Sequence, residues 1–391
     1  MSEDPVAEVK TRIYEAIDEL EPELIDLSMR IHHHPETKFE EYKASEWLAH
    51  AAEEAGFAVE TGIGGVETAF RAAYRGSEKK PVVAFLAEYD ALPKLGHACG
   101  HNLIATASLG AALGVQMGMG RVPGTLELIG TPGEEGGGGK VILTAAGVFD
   151  DADVAMMFHP SARTILWKRA LARRKLFIEF FGKSAHAASH PEKGISALDA
   201  TLLTFQNINA LREHIVDDAR IHGIITDGGD APNIVPDYSA SLFYVRALDD
   251  DTCDDLLEKV QNCARAAALA TGAEVEMDMQ GAYRSLRTNM PLAEAFKENL
   301  EALGRTFEDV DPTAHIGSTD MGDVSQVTNT IHPYLSIGPE ELVGHSTEFA
   351  EAAASEEGHR AMIDAAKALA ATAADVLLRP GLLESVKSYF D

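Results

Sequence analysis

The fold is decided by a short apolar run at residues 81–87, PVVAFLA, and by the polar segments directly behind it. No polar side chain interrupts this run, which is typical of a central β-strand buried on both faces of a sheet. The segments behind it are residues 88–93 (EYDALP) and residues 96–102 (GHACGHN). Open α/β sheets carry their ligand sites at the carboxyl ends of such strands, so the sequence predicts a functional site here.

Cys99 and His101 suggest what kind of site this is. A thiol and an imidazole two residues apart, with glycines that let the backbone bend, suit a transition-metal ion. A buried thiol beside a hydrogen-bonded histidine produces the same local pattern. The choice between the two interpretations depends on whether the rest of the chain supplies matching ligands.

Further candidate ligands follow other predicted strands. A glycine-rich loop with two adjacent carboxylates comes after the strand at residues 125–130, and a third buried strand at residues 152–159 finishes on a histidine. A phosphate-binding loop is disfavoured, because the acidic pair would repel phosphate and no Gly-Lys-Ser/Thr ending is present. The candidates collected from these strand ends and from the segment 344–346 are Cys99, His101, Glu134, Glu135, His159 and His345.

The length of 391 residues favours two domains over one. Between about residues 169 and 285 the predicted elements follow the order β-α-β-β-α-β of a ferredoxin-like unit with its own core. We therefore predict an α/β fold: a larger mixed-sheet domain with helices on both faces at residues 1–169 and 286–391, interrupted by an inserted α+β domain at residues 170–285.

Composition excludes several classes of partner. The net charge of −29, from 62 acidic and 33 basic residues, argues against nucleic acid or an anionic membrane surface. No apolar run is long enough to cross a bilayer, and the first residues lack a signal pattern. Three scattered cysteines do not form a disulfide framework, so we expect a cytoplasmic protein.

The motifs also carry a family resemblance. They resemble, in order, those of the amidohydrolase branch of the aminoacylase/carboxypeptidase-type di-metal metallopeptidases, most closely its p-aminobenzoyl-glutamate hydrolase and β-alanyl-lysine dipeptidase group. The match runs from about Met29 into the predicted C-terminal helix. Two positions depart from the usual pattern: Asn102 stands where many relatives have aspartate, and Gly133 where alanine is usual. The matching motifs lie at residues 88–93, 97–102, 132–139, 158–160 and 344–346.

The resemblance implies two divalent metal ions per subunit, with Glu134 as general base and Asp90 orienting a ligand. For His97 an orienting role and a purely structural one remain open. Thiolate and imidazole favour zinc, while the carboxylates also suit manganese. The implied metal ligands are Cys99, His101, Glu135, His159 and His345.

The inserted domain resembles the family's lid and dimerisation domain. Residues 182–188 (GKSAHAA) and 231–236 (APNIVP) match its lid motifs. By this resemblance His186 stabilises the oxyanion, and Asn233 and Arg246 meet the polar end of the substrate. Such groups often reach the partner subunit's site in relatives, which implies a homodimer.

The sequence thus predicts metal-dependent hydrolysis of an amide or peptide bond in a small N-acyl, N-aroyl or N-aminoacyl amino acid or dipeptide. One alternative makes Cys99 a nucleophile activated by His101, although no orienting third residue is evident. The other is a non-catalytic partner subunit of a hydrolase. Retention of Glu134 together with the complete ligand set argues against that alternative, because a subunit freed from catalysis has no chemical need for the base.

Overall fold

The computed structural model describes residues 5–313 and 316–390, and the chain divides into two compact units. The larger unit comprises Met1–Arg169, Arg287–Ile316 and Asp323–Asp391. The smaller unit comprises Ala170–Leu286 and Gly317–Gly322. The first four residues, where we expect no signal pattern, lie outside the described residues.

The strands are, in chain order, β1 (Ala58–Thr61), β2 (Phe70–Arg75), β3 (Val82–Ala87), β4 (Thr125–Gly130), β5 (Val154–Met156), β6 (His159–Ser161), β7 (Ala172–Phe181), β8 (Arg220–Asp227), β9 (Tyr238–Ala247), β10 (Glu274–Tyr283), β11 (Asn329–Ile331) and β12 (Tyr334–Ser336). The α-helices are α1 (Pro5–His33), α2 (Tyr42–Glu54), α3 (His101–Met119), α4 (Gly139–Ala145), α5 (Ala197–Leu211), α6 (Asp250–Thr271), α7 (Met290–Ala302), α8 (Met321–Val324), α9 (Thr347–Ala352), α10 (Glu356–Leu378) and α11 (Leu382–Lys387).

The larger unit is built on a mixed six-stranded sheet in the order β1-β2-β4-β3-β5-β11. Strands β3, β4, β5 and β11 pair in parallel, whereas β1 and β2 join the edge antiparallel. Every residue of β3 is buried, as the uninterrupted apolar run at residues 81–87 predicts. The predicted α/β fold with a mixed sheet is confirmed. The parallel strands bring their carboxyl ends to one edge of the sheet, and all the candidate ligands except His345 follow these ends.

Helix α3 is held close to α1 by glycine. A Cβ atom at Gly114 would lie 2.5 Å from Ile17 Cγ1, and one at Gly118 would lie 2.6 Å from the Ile13 backbone. Real side chains do not tolerate such contacts, so only glycine permits this close approach of the two helices. Helix α10 also packs against both. This packing fixes α3, whose first residue is His101.

The smaller unit has a four-stranded antiparallel sheet in the order β10-β7-β9-β8, with the chain order β7-α5-β8-β9-α6-β10. This is the ferredoxin-like arrangement. Burial alternates along β7, because one face of the sheet packs against α5 and α6 while the other faces away from them. Its role as a lid or dimerisation domain stays a prediction.

None of the described helices combines the length and the apolar character that a membrane span requires.

Candidate metal centre

The loop between β3 and α3 places the first two ligands. Gly100 precedes α3 with a φ of +75°, a conformation that glycine adopts readily. A Cβ atom there would lie 2.8 Å from Pro160 Cγ, so glycine also lets the loop approach the strand that carries His159. Cys99 therefore lies in the loop that follows β3, and His101 is the first residue of α3.

The loop after β4 carries Glu134 and Glu135 and is held by two buried carboxylates. Glu41 Oε1 accepts a hydrogen bond from the Gly133 amide at 2.9 Å, and Asp90 Oδ2 accepts one from the Glu135 amide at 2.9 Å. Burial, and the charge of Asp90 beside it, raise the pKa of Glu41 to about 7. The two carboxylates fix the backbone on either side of Glu134.

Gly133, one of the two departures from the family pattern, has a local explanation. Its φ is +71°, and a Cβ atom at this position would lie 2.8 Å from the Phe39 ring. Phe39 itself has a φ of +64°. Alanine would meet both an unfavourable backbone conformation and this ring, so glycine is required by the local packing.

The remaining two ligands come from more distant segments. His159 does not end β5, as its predicted strand suggested, but begins β6. Its Nδ1 lies 2.7 Å from Pro160 O, a distance at which Nδ1 donates to the carbonyl and leaves Nε2 as the ligand atom. His345 has a φ of +62° and donates its backbone N–H to Ala98 O at 3.0 Å. A non-glycine residue held in this strained region is a recurrent feature of functional sites.

The structure brings together all six candidates predicted from the strand ends. Ligand atoms within 4.8 Å of one another form three groups. Two of the groups share the Cys99 sulfur, which lies 3.2 Å from His345 Nε2. The groups are Cys99 with His101 and His159, Cys99 with Glu135 and His345, and His101 with Glu134 and Glu135.

Two atoms in this cluster show that a cation fits it. Within the part of the chain that the structure describes, the buried atoms His101 Nε2 and Glu135 Oε1 have no hydrogen-bond partner of acceptable geometry. His101 Nδ1 lies 2.9 Å from Asp90 O and 3.0 Å from Asp90 Oδ1, so the Nε2 lone pair faces the cluster. Buried polar atoms left without partners are costly, and a metal ion bound by sulfur, nitrogen and oxygen would satisfy them.

Burial and charge set the protonation of the ligands. Burial raises the pKa of the Cys99 thiol well above its usual range. Burial alone would lower the pKa of His101, but without a metal ion the Asp90 carboxylate outweighs burial and raises that pKa well above its usual value, so a bound ion would displace a proton from Nε2. Burial lowers the pKa of His159. A nucleophilic cysteine needs a lowered thiol pKa, so the environment of Cys99 disfavours the nucleophile alternative.

Two charged residues beside the ligands were missed in the assignment of roles from the sequence. Glu88 Oε2 lies 3.5 Å from His101 Nε2, and Lys140 Nζ donates to Glu88 Oε1 at 2.5 Å. Both side chains are almost completely buried. The lysine at the end of the glycine-rich loop was the feature that could have drawn attention to this pair. Its partner lies far away in the sequence and could not be predicted.

His97 lies outside the ligand groups. Its ring is buried, and its centroid lies 6.0 Å from that of His32. Burial, followed by the nearby His101 and His32, lowers the pKa of His97 to about 3, so its imidazole is neutral.

Asn102, the second departure from the family pattern, is completely buried and acts as a double donor. Its Nδ2 donates to Ser28 Oγ at 3.0 Å and to Ala353 O at 3.0 Å. A carboxylate at this position could not donate to the carbonyl. The amide therefore links α3 to α1 and to the residue that follows α9.

We expect Asn102→Asp to lower the free energy of unfolding by about 2–4 kcal/mol, because it buries a charge against a carbonyl oxygen. Urea unfolding of both proteins measures the difference. Asn262→Asp on the exposed surface of α6 is the matched control, with an expected change within about 0.5 kcal/mol. Equal unfolding midpoints for the Asn102 variant and the wild type would contradict the role of the two donated bonds.

The three predicted substrate residues lie in the smaller unit. His186 and Asn233 are exposed and stand in neighbouring segments, since the Ala187 amide donates to Asn233 O at 3.0 Å. His186 Nδ1 accepts from the Ser189 amide at 3.2 Å. Arg246 on β9 donates to Ser318 Oγ at 3.5 Å. These contacts do not test the catalytic and binding roles of the three residues, which stay predictions.

Comparison with known proteins agrees with this architecture. Residues 84–370 match the model of peptidase family M20/M25/M40. The chain is 41% identical to the Xaa-Arg dipeptidase of Mus musculus, covering 98% of this chain and 92% of that protein. It is 33% identical to one of the subunits of the p-aminobenzoyl-glutamate hydrolase of Escherichia coli, covering 96% of this chain and 94% of that protein.

Solved structures show the same fold. The aminobenzoyl-glutamate utilization protein of Klebsiella pneumoniae superposes with a TM-score of 0.74 at 20% identity, covering 94% of this chain and 99% of that chain. A dinuclear metal-binding peptidase of Bacillus subtilis superposes with a TM-score of 0.70 at 20% identity, covering 92% and 99%.

Fold, site and relatives together define a metal-dependent hydrolase of amide or peptide bonds. The chain belongs to peptidase family M20/M25/M40. The family predicted from the ordered motifs is confirmed, and the cysteine-nucleophile and non-catalytic alternatives are not favoured.

Proposed function

We propose that this protein uses two divalent metal ions to hydrolyse the amide bond of a small dipeptide or of an N-acyl or N-aroyl amino acid. The observation that carries the proposal is the pair of ligand groups that share the Cys99 sulfur, with Glu134 beside Glu135 in the third group. One shared ligand and two separate sets of partners suit two neighbouring ions.

The proposed ligand sets are taken from this grouping. One ion would be held by Cys99, His101 and His159, and the other by Cys99, Glu135 and His345. When bound, two divalent ions polarise an amide carbonyl and lower the pKa of water towards neutrality. The donor set of sulfur, nitrogen and oxygen suits zinc or manganese.

Glu134 is the proposed general base. Its carboxylate takes a proton from the attacking water and passes it to the leaving amine. Glu134 adjoins the ligand Glu135 in sequence, and its carboxylate lies within 4.8 Å of ligand atoms of His101 and Glu135. This position keeps the Glu134 carboxylate close to the proposed metal ligands.

Asp90 is the proposed positioning residue for two ligands at once. One of its oxygens faces His101 Nδ1, and the other accepts the Glu135 amide hydrogen bond. The carboxylate therefore orients the imidazole ring and holds the backbone of the second ligand. Because Asp90 is buried, solvent does not compete for these bonds.

The substrate class is proposed from the relatives and from the smaller unit. Xaa-Arg dipeptides and p-aminobenzoyl-glutamate both join an amino acid to another group through an amide. In our proposal His186 stabilises the oxyanion, while Asn233 and Arg246 bind the polar end of the substrate. We further propose a cytoplasmic homodimer in which residues 170–285 serve as lid and dimerisation domain.

Chelation tests the metal requirement. Dialysis against a chelator should abolish hydrolysis of a panel of benzoyl amino acids, aminobenzoyl-glutamate and dipeptides, because the polarising cations are removed. Zinc or manganese added in excess should restore it, and metal analysis should give two ions per chain. Magnesium serves as control, since its preference for oxygen ligands does not match a centre containing sulfur. Full activity in a metal-free sample would refute the proposal.

A further inference from the structure

Tyr334 stands beside a proposed metal ligand in the larger unit. It is the register partner of His159 in the two-stranded parallel sheet of β12 and β6, and the centroids of the two rings lie 5.8 Å apart. The Tyr334 amide donates to Ile165 O at 2.9 Å, and the Ile165 amide donates to Tyr334 O at 2.9 Å. On the other side the His159 amide donates to Pro333 O at 2.8 Å. The backbone at Tyr334 is therefore fixed relative to the ligand.

The hydroxyl of Tyr334 is held by a second histidine. His332 Nδ1 lies 3.1 Å from Tyr334 Oη, and the His332 side chain is buried. Burial, followed by the nearby His159 and Lys140, lowers the pKa of His332 well below its usual value, so its ring is neutral. A neutral imidazole carries one N–H, and a phenol oxygen can accept one hydrogen bond while it donates another. His332 Nδ1 can thus donate to Oη, which leaves the phenol hydrogen for a third group.

The charges that act on the Tyr334 hydroxyl are those of the metal centre. Burial, followed by the charges of Glu134, Glu88 and Cys99, raises its pKa well above the usual range, so the phenol keeps its proton. Lys168 Nζ lies 5.2 Å from the centroid of the ring, a cation–π contact that steadies the ring. Tyr334 is thus an oriented, neutral hydrogen-bond donor at the metal centre.

Amide hydrolysis needs a donor for the carbonyl oxygen that becomes negative. Donors held in advance at the position of developing charge supply a large part of enzymatic rate enhancement. The six clustered residues are proposed as ligands or as the base, so none of them is assigned to this task. His186, which we propose for it, belongs to the smaller unit. The larger unit offers the Tyr334 hydroxyl.

We propose that Tyr334 is a further catalytic residue, whose hydroxyl donates a hydrogen bond to the oxyanion of the tetrahedral intermediate. This inference rests on the proposed function. When water adds to the amide carbon, the π electrons of the C=O bond move onto the oxygen, and the phenol stabilises that charge while it keeps its own proton. The C=O bond then re-forms, the C–N bond breaks, and Glu134 delivers the proton of the water to the departing nitrogen. His332 is the positioning residue that orients the hydroxyl.

The test removes the hydroxyl alone. The substrate is the benzoyl amino acid of the panel that the wild type hydrolyses fastest, and the probe is its phosphonamidate analogue, in which a tetrahedral phosphorus replaces the carbonyl carbon. We expect Tyr334→Phe to lower kcat by about tenfold to a hundredfold and to change KM by less than about threefold. Calorimetry should show that the analogue binds the variant more weakly by a similar factor, because the analogue resembles the intermediate.

A double variant tests the positioning role. His332→Phe should lower kcat by about threefold to tenfold with little change in KM, because the hydroxyl remains but is less well oriented. His332→Phe combined with Tyr334→Phe should lose no more activity than Tyr334→Phe alone, since His332 acts only through the hydroxyl. Losses that multiply in the double variant would refute this role of His332.

Tyr42→Phe is the matched control. The Tyr42 hydroxyl donates to Glu67 at 3.3 Å on the exposed surface of the larger unit, so kcat and the affinity for the analogue should not change. Urea unfolding and metal analysis confirm that folded, metal-loaded proteins are compared. Unchanged kcat and analogue affinity in Tyr334→Phe, or a loss of metal that accounts for its lower activity, would overturn the inference. Absence of hydrolysis of every substrate by the wild type would instead overturn the proposed function.

Discussion

Replacement of Glu134 by glutamine is expected to reduce kcat by about a hundredfold to ten-thousandfold while the protein keeps its metal ions. In the proposed mechanism the Glu134 carboxylate receives the proton of the attacking water, and a glutamine amide cannot accept it. The substitution preserves the size of the side chain and removes only its charge. KM should change little, because the proton is transferred during the reaction and not on binding.

Metal content, determined on the same sample, separates this role from that of a ligand. Glu135→Gln is the matched control one residue away, and it should lose metal together with activity, since Glu135 Oε1 lies 3.1 Å from His345 Nε2 within a ligand group. If Glu134→Gln retained wild-type kcat, or lost its metal as Glu135→Gln does, Glu134 would not be the base.

The second large effect is expected when Cys99 is replaced by serine, which removes a proposed metal ligand. We expect the affinity for at least one ion to fall by about a hundredfold or more, with a matching loss of activity at limiting metal. The Cys99 sulfur belongs to two ligand groups, so its removal weakens both sets. A serine hydroxyl does not ionise near neutral pH and is a poor ligand for zinc.

Titration of the metal-free proteins with zinc and with manganese measures this loss. Because the lost sulfur is the soft ligand, the affinity for zinc should fall more than the affinity for manganese. Cys263→Ser in α6 is the control and should bind metal as the wild type does, since Cys263 belongs to none of the ligand groups found among the described residues. Unchanged binding of both metals by Cys99→Ser would exclude the shared sulfur from the centre.

The two units carry separate parts of the proposed chemistry. The larger unit holds the complete ligand cluster and the proposed base. The smaller unit carries His186, Asn233 and Arg246, which we propose to contact the substrate.

The sequence by itself determined the central strand, the family and the identity of the clustered residues. The apolar run at residues 81–87 predicted a strand buried on both faces, and all of β3 is buried. Ligand-type side chains recurred where predicted strands ended, and parallel strands end at one edge of a sheet. Local patterns thus predicted a long-range cluster because the fold class itself fixes where strand ends meet.

Only the tertiary structure decided how these residues are supported. Three sets of contacts join distant segments: the hydrogen bond from the Gly133 amide to Glu41, the two bonds donated by Asn102, and the ion pair of Lys140 with Glu88. No periodicity encodes such contacts, since each depends on which side chains the packing of helices and sheet brings within about 3 Å. The types of ligand residue follow from chemistry and from the positions of the strand ends, whereas the orientation of these side chains follows from packing alone.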